Sequence, residues 1–521
     1  MSRIHFNKAD IAFFVWSAAF IYLQLFILPV TPIFFEGDHA VHLTNAVRML
    51  DGEIIFQDFF AFTFPGTESV YYFLFAIFGQ KIWVLNAVIW GLTFSLVSIG
   101  WFISKRLLSG WIVYLPTTLF LVVGFRMYGA DGSHRFFSIL PIIAALAILF
   151  KEKSYWRFIA AGVLCGLSSF FTQQRGIMGL CGFLVFVLWE FYQTKYRGKA
   201  LLYATCLTVP FFFCLLALNA FFIAQAGFDN YYFSTVIFPV RHYSADDWNN
   251  FSAYLKDIPQ FGSLSLSFYL RGSVPAFFFY ALIPLIYPLS FLVIWFKRKK
   301  FSSEQLGQLI LLCSVGFFLA LGYAFAPIAL RLYQVSIPGL ILLAWLISVF
   351  TPKSQKLIAI ALQALFILSF AYMVQRQIVP HYFLVTPAGT TVFLSADTYQ
   401  RYNWVKEHTQ PGDYIYEAYQ PMVYFPLYLK NPTPMGLIRP NLYTPREQIE
   451  SVVEALRKNP PRYILWDGKW TMPREKRSPD DSFGDLMDFM QERYHRVQQF
   501  GYTGERLGIS ERDFEIWEKN D

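Results

Sequence analysis

The sequence predicts a polytopic α-helical membrane protein followed by a water-soluble α/β domain, and three observations carry that reading. Of 521 residues, 55% are hydrophobic, 20% aromatic and only 15% charged, with 58 Phe and 31 Tyr, and the mean hydropathy is +0.40. Such a balance belongs to membrane chains and not to water-soluble globular ones. Apolar stretches of roughly 17 to 25 residues recur, the length a helix needs to cross about 30 Å of hydrocarbon. Basic residues gather at every second connection between those stretches.

The predicted spans lie near 11–30, 82–104, 108–126, 134–150, 157–172, 177–193, 200–224, 274–296, 306–325, 332–350 and 357–375, about eleven in all. The first follows a short basic segment with Arg3 and Lys8 and ends at Pro29 and Pro32 without a small-residue cleavage site. It reads as a retained anchor. Arg3/Lys8, Lys105/Arg106, Lys151/Lys153/Arg157, Lys195/Arg197/Lys199, Lys297 to Lys300 and Lys353/Lys356 mark the cytoplasmic ends. Residues 31–81, 225–273 and everything after 376 then fall outside the cytoplasm. The formal net charge of +8 follows from this bias and from contact with anionic headgroups, so no nucleic-acid partner is implied. All five cysteines sit inside spans, and no disulfide framework is expected.

Between the first two spans, Ala40, Val41, Leu43, Ala46, Val47 and Leu50 recur at helical spacing from Asp38 onward, with Gly52 as a stop. A second interfacial helix is predicted over 66–78, with Tyr71, Tyr72 and Phe75 at headgroup depth. In a mostly apolar chain, Glu36 and Asp38 are among the few groups able to do proton or metal work. Helix capping is the simple alternative for Asp38.

After Arg376 the hydropathy falls, and residues 376–521 read as an α/β domain. Thr444, Pro445 and Glu447 predict a capped helix whose apolar stripe is Ile449, Val452, Val453 and Leu456. β-like runs at 414–416, 463–466 and 514–517 alternate with helical segments near 397–408 and 483–493, giving a small, partly parallel sheet. The domain carries no phosphate loop or zinc spacing, and covering an active face or shaping an acceptor site suits it.

Glu36-Gly37-Asp38, Leu50-Asp51-Gly52-Glu53, Phe56-Gln57-Asp58-Phe59-Phe60, Pro65-Gly66 and Phe78-Gly79 resemble the first external loop of GT-C integral-membrane glycosyltransferases. The resemblance is to the group of protein mannosyltransferases and of aminoarabinose and rhizobial lipopolysaccharide transferases; it covers the whole layout, but in motif only residues 34–80. It implies a GT-C domain over 1–375, a polyprenyl-phosphate sugar donor and an acidic loop residue as catalytic base. Carried over, that base is Asp38. It would deprotonate an acceptor hydroxyl as it attacks the anomeric carbon and so invert that centre. The implied acceptor is an envelope glycolipid, a polysaccharide or a protein, and the implied location a bacterial inner membrane with the C-terminal domain in the periplasm or outside. Glu36 is expected to tune Asp38 or share a metal with it; a divalent cation is the one cofactor left open.

Relatives carry a second acidic residue after the third span, which makes Asp131, in the connection 128–135, the second candidate; a turn Asp beside glycines is the alternative. His134 and Arg135 adjoin it. A departing lipid phosphate needs cations at the membrane face. Arg175 between the fifth and sixth spans, Arg331 opening the tenth and Arg241 in the loop after the seventh are candidates, and snorkelling to headgroups is the ordinary fate of each. His39 and His42, at i,i+3, suggest a zinc pair without a fixed third ligand. The rival functions are a transporter or flippase, or a ligase, of lipid-linked saccharides; one-sided polar groups and the lack of a duplicated half disfavour transport.

Overall fold

The computed structural model describes residues 6–126, 129–151, 153–194, 197–246, 249–253, 274–350, 355–418, 420–440, 443–468, 483–502 and 512–521. Arg3, Tyr128, Lys195, Trp248, Lys353 and the loop from 254 to 273 lie outside them. Among the described residues seven helices are long and apolar enough to cross a membrane: Lys8–Leu25, Ile82–Leu107, Gln173–Gln193, Gly198–Ala226, Ala276–Lys300, Ser303–Leu321 and Lys356–Ile378. Four shorter apolar helices, Gly110–Phe125, His134–Leu149, Tyr155–Phe171 and Ile337–Val349, occupy the remaining predicted spans. The protein is an integral membrane protein. Phe213, Leu216, Phe296 and Ile367 turn their side chains outward, as lipid-facing residues do.

The first span stops at Leu25, short of the expected 30. Pro29 and Pro32 have no backbone N–H to continue a helix, and Phe26–Ile27 instead pairs antiparallel with Thr31–Pro32. The Asn86 amide closes this exit by donating to Leu25 O at 2.6 Å and Ile33 O at 3.0 Å. At the opposite end of the same helix, buried Asp10 accepts from Tyr114 Oη at 2.7 Å and from Lys105 Nζ at 3.1 Å, which ties the first three spans together. Lipid removes the hydrophobic drive between helices, so close backbone approach has to hold the bundle. A Cβ on Gly162 would lie 2.3 Å from Leu207 O, and one on Gly176 would lie 2.1 Å from Cys165 O. These glycines let Tyr155–Phe171 pack directly against Arg197–Ala226 and Gln173–Thr194.

The interfacial helices are His39–Leu50 and Gly66–Phe78. Tyr71 and Phe75 do not reach headgroups as expected. Tyr71 is buried and donates to Gly132 O at 2.7 Å, and Phe75 stacks on Phe425 of the C-terminal part at 5.1 Å. The exposed large apolar residues of that helix are Phe73, Ile77 and Phe78.

Beyond the last span, a hairpin of Tyr382–Thr386 and Gly389–Phe393 precedes a four-stranded sheet. Tyr416–Glu417 pairs parallel with Tyr463–Asp467, which pairs antiparallel with Arg512–Lys519, and that strand with Tyr494–Tyr502. Helices Ala396–His408, Arg446–Lys458 and Phe483–Arg493 complete the domain. Ile449, Val452, Val453 and Leu456 are buried as their spacing requires, but Thr444 does not cap their helix. Its hydroxyl accepts from Arg439 N at 2.9 Å.

Candidate active site

Short connections make successive spans antiparallel, so the ends carrying Asp38, Asp131, Arg175 and Arg331 gather at one face of the bundle. Asp38 opens His39–Leu50 but makes no capping bond; its backbone is itself helical, with φ −59° and ψ −20°. The carboxylate is thereby free to turn away from the helix. Its Oδ2 accepts from Arg135 Nη2 and its Oδ1 from Gln420 Nε2 at 2.9 Å.

Arg135 lies in the first turn of His134–Leu149 and reaches two carboxylates at once. Its Nη1 donates to Asp131 Oδ2 at 2.7 Å, while Asp131 Oδ1 accepts Ser133 N at 2.9 Å. Asp131 therefore serves both as a turn residue and as a site residue. Its side chain is 11% exposed and that of Arg135 10%, whereas Asp38 keeps 42% of its side-chain surface open. Burial pushes both carboxyls up, but the Arg135 charge outweighs it and holds each below its ordinary range, with Arg439 and His134 adding to the effect on Asp38. Both are ionised at neutral pH, and Asp38 alone is open to a reactant.

The three candidate arginines divide. Arg175, held in the first turn of Gln173–Thr194 by the close approach at Gly176, is buried; it donates to Arg135 O, to Ser138 Oγ at 2.8 Å and to Gln334 Oε1 at 3.0 Å. Arg331 is buried too and donates to Asn249 Oδ1 at 2.7 Å, Tyr243 Oη at 3.2 Å and Ala326 O at 3.3 Å. Its short helix Ala329–Gln334 is anchored by Tyr333, whose ring stacks near Phe120 at 4.8 Å. That ring fills the place of a side chain at Gly124, where a Cβ would be 2.1 Å away. Neither arginine has a carboxylate partner among the described residues. A buried cation normally has one, so the two arginines make this part of the face positive, a setting that suits an anion. Arg241 is exposed at the end of Phe238–Arg241 and outside this cluster.

Glu36 does not sit with Asp38. It is ion-paired with Arg401 of the C-terminal domain, whose guanidinium also lies 4.0 Å over the Phe514 ring. A second tie joins the same parts, since Thr44 Oγ1 donates to Pro421 O at 3.1 Å, and Arg439 of the C-terminal domain pairs with Asp246 in the loop after Phe238–Arg241. The two histidines at i,i+3 also part, since His39 Nε2 bonds Phe35 O at 2.8 Å while His42 turns to Glu68 and His134.

A divalent cation needs several free oxygen donors. Both oxygens of Asp38 and of Asp131 already accept hydrogen bonds, a guanidinium stands between the two carboxylates, and Glu36 is taken by Arg401. The donor set does not fit such an ion, and no group of three or more His, Cys, Asp or Glu among the described residues is arranged to hold a metal.

Seven membrane-length helices and four shorter apolar ones among the described residues, two helices in the first loop, a polar cluster at one face and a C-terminal α/β domain define a protein with the GT-C fold of membrane glycosyltransferases. In particular, the chain is similar to ArnT from Cupriavidus metallidurans bound to undecaprenyl phosphate, with a TM-score of 0.53 at 11% identity over 98% of each chain. It is also similar to the oligosaccharyltransferase AglB from Archaeoglobus fulgidus in complex with an inhibitory peptide and a dolichol-phosphate. There the TM-score is 0.52 at 11% identity, over 97% of this chain and 75% of that one. No family model and no curated protein matches the sequence.

Sequence reasoning missed Gln420, Arg401 and Glu68. The first two come from a domain that sequence distance separates from the loop, and Glu68 reads as an ordinary first-turn acid.

Proposed function

We propose that this chain is an inverting glycosyltransferase that moves a sugar from a polyprenyl-phosphate donor to an envelope glycolipid, polysaccharide or protein. The reaction occurs at the extracytoplasmic face of a bacterial inner membrane, where the domain 376–521 also lies. The observation that carries this reading is the open Asp38 carboxylate, fixed by Arg135 and Gln420 beside two buried arginines that lack acidic partners. Undecaprenyl phosphate bound to ArnT and dolichol-phosphate bound to AglB support a lipid phosphate as the anion.

In the step, an acceptor O–H gives its proton to Asp38 while its oxygen bonds to the anomeric carbon. The bond from that carbon to the phosphate oxygen breaks, and its electron pair leaves on the lipid phosphate, where Arg175 and Arg331 offset the charge. Asp38 is ionised but held low by Arg135, hence a weak acceptor before attack. The hydroxyl becomes acidic only as the new bond forms, so the proton moves late. Asp131 holds Arg135 and thereby orients the base.

The test uses full-length protein in liposomes with a panel of radiolabelled polyprenyl-phosphate sugars and an envelope extract as acceptor. Label should pass to the acceptor with wild type and not with Asp38→Asn. Undecaprenyl phosphate alone should raise the thermal midpoint of both. No transfer from any donor, together with no thermal shift, would falsify the reading.

A further inference from the structure

Two small hairpins stand at the ends of spans on the face that carries Asp38. The first, Phe26–Ile27 with Thr31–Pro32, begins directly after Lys8–Leu25 and leads into Phe35, Glu36 and Asp38. The second, Tyr382–Thr386 with Gly389–Phe393, follows the last span, which ends at Ile378. They are joined to each other, since Phe34 N donates to Val392 O at 2.8 Å and Thr391 Oγ1 to Pro32 O at 2.9 Å. Gln377 clamps the start of both, its Nε2 donating to Phe26 O at 3.1 Å and its Oε1 accepting from Leu28 N at 2.9 Å. The far tip of the second hairpin is held at span level as well. Ile82 N, at the start of the second span, donates to Ala388 O at 3.1 Å, and Lys81 Nζ donates to Pro387 O at 3.2 Å. A hairpin tethered to span ends at both of its own ends lies along the membrane surface and does not rise from it.

The outward side chains of both hairpins are apolar. Leu28, Val30, Phe383 and Val385 are 54% to 68% exposed, and Tyr382 and Leu394 are exposed as well. Phe383 and Val385 share one face of their strand by the two-residue alternation, whereas Leu384, on the other face, is buried with Tyr402 and Val405. Residues 26–35 and 377–394 contain no Asp, Glu, Lys or Arg. A surface facing water rarely gathers large apolar side chains with no charge among them. The exposed apolar side of the last span, with Leu368, Phe370, Val374 and Ile378, runs up to the second hairpin. A groove of about 420 Å³ lined by Ala371, Val374, Gln375, Ile378 and Val379 opens at the same end of that span.

We propose that the two hairpins form a foot that inserts Leu28, Val30, Phe383 and Val385 into the bilayer leaflet on the Asp38 side, at the boundary of headgroups and acyl chains, and so seats the C-terminal domain on the phospholipid surface. Large apolar side chains gain by leaving water for that boundary. Lipid is the occupant because the apolar surface is continuous with that of the last span. Three residues of chain reach at most about 11 Å, so Leu28, close behind Leu25, stays within reach of the headgroup layer. The foot also bears on the candidate site, since Ala388 N donates to Pro426 O at 3.4 Å, in the segment that begins with Gln420. The seat thereby sets the height at which Gln420 meets Asp38. The contact is independent of what the site transfers.

The experiment uses full-length protein in nanodiscs of phosphatidylethanolamine and phosphatidylglycerol that include a phospholipid with a diazirine near the ester end of its acyl chain. After illumination, adducts are mapped residue by residue with peptide mass spectrometry. Leu28, Val30, Phe383 and Val385 should be labelled about fivefold or more above Val497, an exposed apolar residue of the C-terminal domain, and within about threefold of Leu368 in the last span. Labelling of the last span with the hairpins no higher than Val497 overturns the foot. Hairpins that escape the lipid and cross-link to a second copy of the chain overturn it too, in favour of a protein interface.

A variant carrying Phe383→Gln and Val385→Gln gives a second reading at residues that are themselves unaltered. Two amides on the outward face favour water over the acyl boundary, so labelling of Tyr382 and Leu394 should fall about threefold while that of Leu368 holds. Unchanged labelling of Tyr382 and Leu394 in the folded variant overturns the proposal. If the variant does not fold, the wild-type map decides by itself.

Discussion

In the ion pair between Asp38 and Arg135 the carboxylate is the open partner and the guanidinium the buried one, 42% against 10% of side-chain surface. A pair built only for stability has no need to leave one charge exposed. Asp38→Asn should therefore cost little stability and at least about 100-fold in kcat, within the range of a lost general base. Single-turnover transfer at saturating donor checks this, and near-wild-type turnover would remove Asp38 as the base. Arg135→Met should be the more damaging to folding, on the order of 3 to 5 kcal/mol, because it leaves Asp38 and Asp131 facing each other unpaired.

If Arg175 and Arg331 hold the lipid phosphate as proposed, Arg331→Ala should weaken binding of undecaprenyl phosphate about tenfold or more, a loss typical of one charge-assisted contact. Arg175→Ala should do the same and also loosen Arg135, whose carbonyl it holds. Arg241→Ala, at an exposed position, should change nothing. Thermal-shift titration with the lipid phosphate separates these outcomes, and equal affinities for all three variants would remove both arginines from that role.

Glu417 gives the C-terminal domain a pH-dependent stability. Burial pushes its carboxyl up to about 7, against the opposing effects of Arg401 and of the Val423 and Met422 backbone N–H groups that its Oε2 accepts. A folded-state value above the unfolded 4.5 means that the neutral acid is the form the fold favours. Stability is full below about 4.5 and is lost as pH rises through about 7, on the order of 3 kcal/mol in all. Glu417→Gln should flatten the thermal midpoint between pH 5 and 8 and exceed wild type at pH 8. A variant that unfolds earlier at pH 8 contradicts this.

Much of this was legible because it is local. Hydropathy located the spans, helical spacing located His39–Leu50 and Gly66–Phe78, and the stripe on Arg446–Lys458 was visible in four residues. Asp38 was readable as a base candidate, but its expected cap bond is missing because the carboxylate turns to Arg135 and Gln420, partners far along the chain. The same distance hid Arg401 behind Glu36. Tyr494–Tyr502 was not foreseen because His495, Arg496, Gln498 and Gln499 break the alternation that marks a strand; only pairing with Arg512–Lys519 makes it one.

Bundle packing offers a separate check. Gly162→Ala puts a methyl 2.3 Å from Leu207 O, and backbone cannot yield as a side chain can. Overpacking of this kind costs about 1 to 3 kcal/mol, so the thermal midpoint should drop by several degrees while Gly198→Ala, with nothing within 4 Å, leaves it alone. Equal midpoints for the two would show that the helices do not touch there.

Gln420 belongs to the domain that follows all the spans, yet its amide grips Asp38 in the first external loop. During synthesis the bundle can insert and even gather its arginines long before that amide exists. If Asp38 is the base as proposed, it is set only when the last part of the chain has docked, so the order of synthesis itself delays activity until each molecule is finished.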